Sequence, residues 1–257
     1  MSSTTGVTSA DVRRYWDAHI HDLEITKYPV GTEGFFDDLD AYHFEKLHHL
    51  LTLVAFDAWR GKDVLDVGCG AGVEVVRFAR AGARTFGVDG SPQAIGLARK
   101  NLAWKGLAAG LAVSDGEALP FPDAAFDFVF AHGVVQYAAS DVDVVKECHR
   151  VLRPGGTAIF QVYNRVSWLQ MLSKVTNVGL EHEDAPVLRR YSIGEFKQIM
   201  RPFASTEFVF ERFPVKSRLH KGWKAALFNT GFVGAFNALP RAWVRRFGWH
   251  LLAVGRK

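Results

Sequence analysis

From residue 61 onward, short apolar runs alternate with segments of helical period. The run over 63–67 predicts a buried strand, followed by a helix over about 72–81 that stops at Ala81-Gly82. A second strand follows over 84–88. Ser91 then stands as a helix cap with Pro92 at the first helical position, in a helix reaching about Lys105. Strands are predicted over 110–113 and, after the Pro120-Phe121-Pro122 turn, over Phe126–Phe130. A helix over about 140–152 and the turn Arg153-Pro154-Gly155-Gly156 lead into a fifth strand, 157–162. Strand and helix in alternation predict a parallel sheet with crossover helices.

The flanks differ from this rhythm. Residues 11–60 read as helical and aromatic, broken by the turn Tyr28-Pro29-Val30-Gly31. Residues 164–191 form a long insertion ahead of a short helix, 192–201, and a strand, 205–213. Residues 216–242 are apolar, aromatic and basic, and a last strand covers about 248–255. Residues 1–10 have neither a basic start nor an apolar core, so a disordered leader is expected rather than a signal peptide. His48 and His49 are expected on a helix surface.

A chain of 257 residues, 48% hydrophobic, suffices for one well-buried α/β domain with appendages. Ten of the 31 Lys and Arg fall in 212–257, which holds none of the 27 Asp and Glu; the remainder is therefore mildly acidic. The two cysteines, Cys69 and Cys148, suit a reducing cytoplasm, since Cys69 lies in a glycine turn. No Cys/His cluster has zinc-like spacing, so no metal is expected.

The chemistry starts at Val64-Leu65-Asp66-Val67-Gly68-Cys69-Gly70-Ala71-Gly72. A strand empties into three alternating glycines with a helix N-terminus behind them, a corner that lets backbone approach a nucleotide-like ligand. The spacing is not G-x-G-x-x-G, because Val73 stands where the third glycine would be, and no Gly-Lys-Ser/Thr follows. A ligand without a pyrophosphate is expected.

This stretch resembles the first motif of class I S-adenosylmethionine-dependent methyltransferases, in their small-molecule branch with the quinone-biosynthesis enzymes. Asp89, in Phe86-Gly87-Val88-Asp89-Gly90-Ser91, matches the family acid that accepts from both ribose hydroxyls. Asp115, in Ser114-Asp115-Gly116-Glu117, matches the acid that receives the adenine amino group. Phe126 to Gly133 and Cys148 to Gly156 resemble the later motifs. The resemblance covers roughly residues 60–165. It implies a doubly wound, mostly parallel seven-stranded α/β sheet, the Rossmann-like methyltransferase fold. A helical lid over 11–60 would precede a catalytic domain over 61–257, with insertions at 164–191 and 214–246. It implies S-adenosyl-L-methionine as methyl donor, held by Asp66, Gly68, Cys69, Gly70, Gly72, Asp89, Gly90, Ser91, Asp115, Gly116, Glu117, Ala131 and His132.

His132 occupies the register position of the leading Asn or Asp in the Asn-Pro-Pro-Tyr motif of N-methylating relatives. It serves either as a general base for a hydroxyl or carbon acid, or only as a backbone contact. Gln136 and Tyr137 either line the acceptor pocket or cap a helix. Tyr15, Trp16, His19, His21, Asp22, Tyr28, Phe35 and Phe36 suit an aromatic lid, with Tyr15 and His19 also weighed as catalytic groups and Trp16 and Tyr28 as pocket walls; an ordinary packed helix is the alternative. His182 and Asp184 are either a substrate cap or a solvated acidic loop.

In 222–239, Phe228, Phe232 and Phe236 share a helical stripe. Lys216, Arg218, Lys221, Lys224, Arg241, Arg245 and Arg246 flank it. Pocket packing, a homodimer interface and membrane-surface contact all fit 216–246. A small or medium, partly apolar acceptor is favoured. A membrane-peripheral lipid or quinone methyltransferase and a non-catalytic S-adenosylmethionine-binding regulator are the alternatives. Nucleic acid is not expected as a partner.

Overall fold

The structure, a computed structural model, describes residues 6–19, 25–176, 180, 182–214 and 227–257. The expected strands and crossover helices are β1 (Asp63–Val67), α4 (Val73–Arg80), β2 (Arg84–Asp89), α5 (Pro92–Trp104), β3 (Gly110–Val113), β4 (Phe126–His132), α6 (Asp141–Val151) and β5 (Leu152–Tyr163). Among the described residues, α1 (Ser9–Ala18), α2 (Glu33–Lys46), α3 (His49–Leu53) and a 3-10 turn (Phe56–Trp59) precede them. After β5 come α7 (Trp168–Thr176), α8 (Ile193–Ile199) and β6 (Ser205–Glu211). The chain then forms α9 (Val233–Ala238), α10 (Arg241–Val244) and β7 (His250–Arg256). The seven strands form one sheet in the order β3-β2-β1-β4-β5-β7-β6. Only β7 runs antiparallel to its neighbours.

Local chemistry sets the helix starts. Ser91 accepts from the Ala94 N–H, Ser140 from the Asp143 N–H, and Ser192 shares a capping box with Glu195. Thr8 and Asp11 form another capping box, so α1 begins at Ser9. The last residues of the expected leader are therefore folded. The turn expected at 153–156 lies inside β5 as an irregularity, where pairing jumps from Phe126–Leu152 to Phe128–Thr157 and Gly155 takes φ +77°.

Alternation along the strands divides the core. Leu65, Val129, Ala131, Phe160 and Leu251 face α6 and α8, packing on Val145, Cys148 and Phe196. Val64, Phe128, Phe130, Ile159 and Leu252 face the other way, onto α2, α3 and α4 through Phe35, Leu39, Leu50 and Phe78. Phe35 and Phe36, expected in the lid, are thus core residues. His49 is buried as well, a correction to its expected surface place, because α3 turns that face onto β7 where His250 lies 5.8 Å away, ring to ring. His48 is exposed.

Of the C-terminal insertion, 215–226 with Lys216, Arg218, Lys221 and Lys224 lies outside the described residues. Phe232 and Phe236 pack 6.1 Å apart, against Trp168 and Phe213 respectively. Arg245 and Arg246 are exposed. No helix among the described residues is long and apolar enough to cross a membrane.

Candidate active site

A cleft opens along the carboxyl ends of the parallel strands, where open α/β sheets bind ligands. The loop after β1 is drawn under β2 by the N–H groups of Gly68 and Cys69, which donate to the Val88 carbonyl at 2.8 and 3.0 Å. Gly68, Gly70 and Gly72 all take positive φ. Their surroundings separate their roles. A Cβ on Gly68 would stand 2.3 Å from Val134 Cγ2, and one on Gly72 2.9 Å from Ala98 Cβ. A Cβ on Gly70 would meet nothing within 4 Å, because that residue faces the open cleft. Gly72 is thus a close-packing glycine between α4 and α5, whereas Gly68 and Gly70 line the cleft.

Three carboxyls gather here. Asp89 accepts from the Gly70 N–H through Oδ2 at 2.9 Å and from the Ser91 N–H through Oδ1 at 2.8 Å. Burial raises its pKa, opposed by those two N–H donors. Asp66 is buried with Oδ2 unpartnered. Burial, then the nearby charges of Glu74 and Asp89, push its carboxyl well above the usual range. Farther along, Asp115 Oδ1 accepts from the Glu117 N–H at 2.9 Å, and Glu117 Oε1 from the Ser140 N–H at 2.9 Å, tying the loop after β3 to the start of α6.

Helix α1 lies across the opening, with Ser9, Val12, Arg13 and Trp16 in its wall. Asp17 fixes one side by accepting from the Ser91 hydroxyl at 2.7 Å and the Gln93 N–H at 3.3 Å. Tyr15 fixes the other: its hydroxyl donates to Asp184 Oδ1 at 2.9 Å and lies 3.3 Å from His182 Nδ1. Trp16 sets its edge against Tyr137 and His182, with ring centroids 4.8 Å away in both cases.

Beyond this half, the face beneath α2 carries polar residues on successive strands. His132 on β4 pairs in register with Gln161 on β5, and His250 on β7 with Tyr163. His132 stacks on Phe130 and lies 5.9 Å from the His43 ring of α2 and 5.6 Å from the His250 ring. Burial pushes the His132 pKa down to about 3; Glu74 opposes that shift, while His43, His49 and Arg212 add to it. Its imidazole is neutral at pH 7, with Nε2 unpartnered. His43 Nε2 stands 2.8 Å from Glu74 Oε1. Burial acts to raise the Glu74 carboxyl, but the charge and hydrogen bond of His43, together with His132, hold it well below the usual range.

The expected site residues divide accordingly. Asp66, Gly68, Cys69, Gly70, Asp89, Gly90, Asp115, Gly116, Glu117, His132, Trp16 and Tyr137 line the cleft. Ser91 and Gly72 act behind it, and the Ala131 side chain turns to the opposite face of the sheet. Gln136 is fully buried with both polar ends unpartnered, near Gly133. His19 stacks on Tyr15, outside the wall, and His182 and Asp184 hold α1 instead of lining the cleft. Tyr28 is a correction: it is 46% exposed and its ring covers Gly34 at the start of α2, away from the cleft. His21 and Asp22 lie outside the described residues.

Sequence reading passed over His43, Glu74, Gln161, Arg212 and His250, all in the wall. They come from five different elements or their ends, so no spacing joins them. Two signals were present. Glu74 interrupts an apolar helix start, and His250 opens an otherwise apolar last strand.

Residues 65–160 match the model of a family described as a methyltransferase domain. A ubiquinone biosynthesis O-methyltransferase of Roseobacter denitrificans is 33% identical over 113 residues, 44% of this chain and 46% of that one. A protein of the same description from Methylococcus capsulatus is 28% identical over 151 residues, 57% of this chain and 64% of the relative. The matched stretch thus spans less than two thirds of these curated relatives. Among solved structures, a SAM-dependent methyltransferase of Thermotoga maritima, titled a possible histamine N-methyltransferase, superposes with a TM-score of 0.54 at 18% identity. That superposition covers 85% of this chain and 99% of the other. It shows the fold alone.

Proposed function

We propose that this chain, whose residues 65–160 match a methyltransferase-domain family, is a class I S-adenosylmethionine-dependent enzyme that transfers a methyl group to a small or medium, partly apolar metabolite. The observation that carries the proposal is Asp89. Its two carboxylate oxygens are each held by a backbone N–H, from the first loop and from the start of α5, at the wall of an open cleft. A carboxylate fixed in this way keeps lone pairs on both oxygens, which suits a vicinal diol.

The residues present fit the donor molecule. Asp66 is a buried carboxyl with an unpartnered oxygen beside two further carboxyls. Such a place is stabilised by a positive group, and adenosylmethionine carries an ammonium and a sulfonium. Gly70 leaves open the space a side chain would fill. Asp66, Gly68 and Gly70 would hold the methionine portion, Asp89 the ribose and Asp115 the adenine amino group. Bound there, the donor supplies an electrophilic methyl group.

The rest falls to the chain's own groups. Helix α1, held at Asp17 and Tyr15, excludes water from the cleft. The apolar wall of Leu39, Leu47 and Val73 orients an apolar acceptor body. His132, a neutral imidazole in the cleft wall, is the group we assign to accept the proton of an acceptor hydroxyl, and Glu74 favours the imidazolium. Calorimetry with S-adenosylhomocysteine, followed by labelled-methyl transfer to a small-molecule extract, tests the proposal. Binding and a labelled product are expected; absence of both removes the assignment.

A further inference from the structure

Arg212 follows β6 with φ +57°, a left-handed backbone rare for a non-glycine residue without a reason to hold it. Its carbonyl holds the turn in place, accepting from the Trp168 indole N–H at 2.8 Å and the Trp249 N–H at 3.3 Å. The side chain is carried into the cleft wall, where Nη1 lies 3.3 Å from His250 Nε2. A guanidinium only donates, so His250 Nε2 accepts and its proton sits on Nδ1. His250 is 2% exposed, and that Nδ1 has no partner. Arg212 is thus held at the cleft wall by the Nε2 edge of His250, with the Nδ1–H on the far side of the ring. The structure records no carboxylate on Arg212 among the described residues.

The groups that line the cleft differ in charge along the sheet. Asp89, Asp66 and Glu74 lie at the β2–β1 side and His132 stands on β4 in the middle. His250, Arg212 and Lys46 of α2 stand at the β7–β6 side, where Glu211, outside the wall, is the register partner of His250. A donor cation belongs at the acidic side. An anion is favoured at the basic side, where the His250 ring lies 5.6 Å from the His132 ring.

We propose that the acceptor is a compact organic acid whose carboxylate binds Arg212, itself positioned by His250, directing its nucleophilic atom toward His132. The proposal rests on the methyltransferase reading for the reaction, but not for the binding of the acid. A planar carboxylate matches the guanidinium fork, which His250 Nε2 holds at the cleft wall. The short reach between the His250 and His132 rings selects a single ring or a short chain as the body between carboxylate and nucleophile.

The test is direct binding to the full chain, by calorimetry with S-adenosylhomocysteine present. Benzoate, phenylacetate and hexanoate are each compared with the matching amide, and phenyl phosphate is run beside them. At least one acid should bind about tenfold or more tightly than its amide. Arg212→Asn keeps a residue that tolerates positive φ while removing the cation, so it should abolish that preference and leave S-adenosylhomocysteine affinity unchanged. Arg212→Lys should retain part of the preference, and His250→Gln should weaken it. No acid preferred over its amide, a preference surviving Arg212→Asn, or phenyl phosphate bound above every acid would each overturn the proposal. If S-adenosylhomocysteine fails to bind while the acid preference holds, the methyltransferase reading falls and the carboxylate site stands.

Discussion

The Tyr15 hydroxyl donates to Asp184 Oδ1 across 169 residues of sequence, joining the first helix to the loop after α7. The phenol is held in its protonated form, its pKa pushed up to about 12 by burial and then by the Asp184 hydrogen bond and charge. Tyr15→Phe removes this tie and leaves the ring packing intact. S-adenosylhomocysteine should dissociate several-fold faster from the variant, measured by stopped-flow intrinsic tryptophan fluorescence, with a Trp16→Phe control to identify the reporting residue. An unchanged rate would mean that α1 does not retain the ligand.

Asp89→Asn preserves the shape of the carboxylate but removes its charge and half of its accepting capacity. Charge-assisted hydrogen bonds contribute about 1.5–3 kcal/mol each, so affinity for S-adenosylhomocysteine should fall by roughly tenfold to a hundredfold per bond lost. Calorimetry at constant ionic strength measures it. Affinity equal to wild type would place the ribose elsewhere.

The glycines of the first loop give a paired expectation. Gly70→Ala meets no neighbour, so its cost to folding is the strain of φ +52°, about 1–2 kcal/mol, while its methyl enters the cleft. Gly72→Ala adds a 2.9 Å approach to Ala98 to a similar strain, outside the cleft. The first should lose ligand binding more than stability, the second stability more than binding. Thermal melts with and without S-adenosylhomocysteine separate the two.

His132→Gln keeps a polar side chain but removes the proton acceptor. Turnover should fall by about a hundredfold with little change in S-adenosylhomocysteine affinity, within the range typical of a lost general base. An unaffected rate would leave His132 only a wall residue.

Burial also links the histidines to stability. His49 and His132 are held near pKa 3 by burial, against about 6.5 in an unfolded chain. Their full contribution is present above pH 6.5. It is lost as pH falls toward 3, because the unfolded state takes up protons that the native state refuses. Each such group tilts stability by about 1.4 kcal/mol per pH unit across that window. Asp66, with its raised carboxyl, tilts the other way from about pH 3.8 upward, inside the same window, so a difference measurement is cleaner than an absolute slope. Neither ring nitrogen of His49 has a partner. His49→Leu should therefore leave stability little changed at pH 8 and raise the melting temperature at pH 5 relative to wild type.

The sheet half of the molecule was legible because its signals are local. Ser91-Pro92 marked the start of α5, and the strand at 63–67 falls on the residues its apolar run indicated. Gly68 and Gly70 of the glycine loop, Asp89 and Asp115, singled out by their resemblance to family motifs, all line the cleft. His49 was misjudged because a five-residue helix offers too little period to define a buried face. Tyr28 was misjudged because its aromatic character fits a lid as well as a cover over Gly34. Glu74, Arg212 and His250 escaped notice because their meaning lies in long-range pairing: β7 reverses direction, which brings the first residue of one strand beside the residue following another.

The position of β7 also bears on the order of assembly. It comes last among the strands in sequence yet lies between β5 and β6. While the chain is being synthesised, β5 exists as an open edge and β6 has no neighbour to join until the residues from His250 onward emerge. The half of the sheet carrying Asp66 and Asp89 pairs among earlier strands and does not have to wait. The cleft wall at His250 and Arg212 is therefore completed after the wall at Asp66 and Asp89 has its strand neighbours.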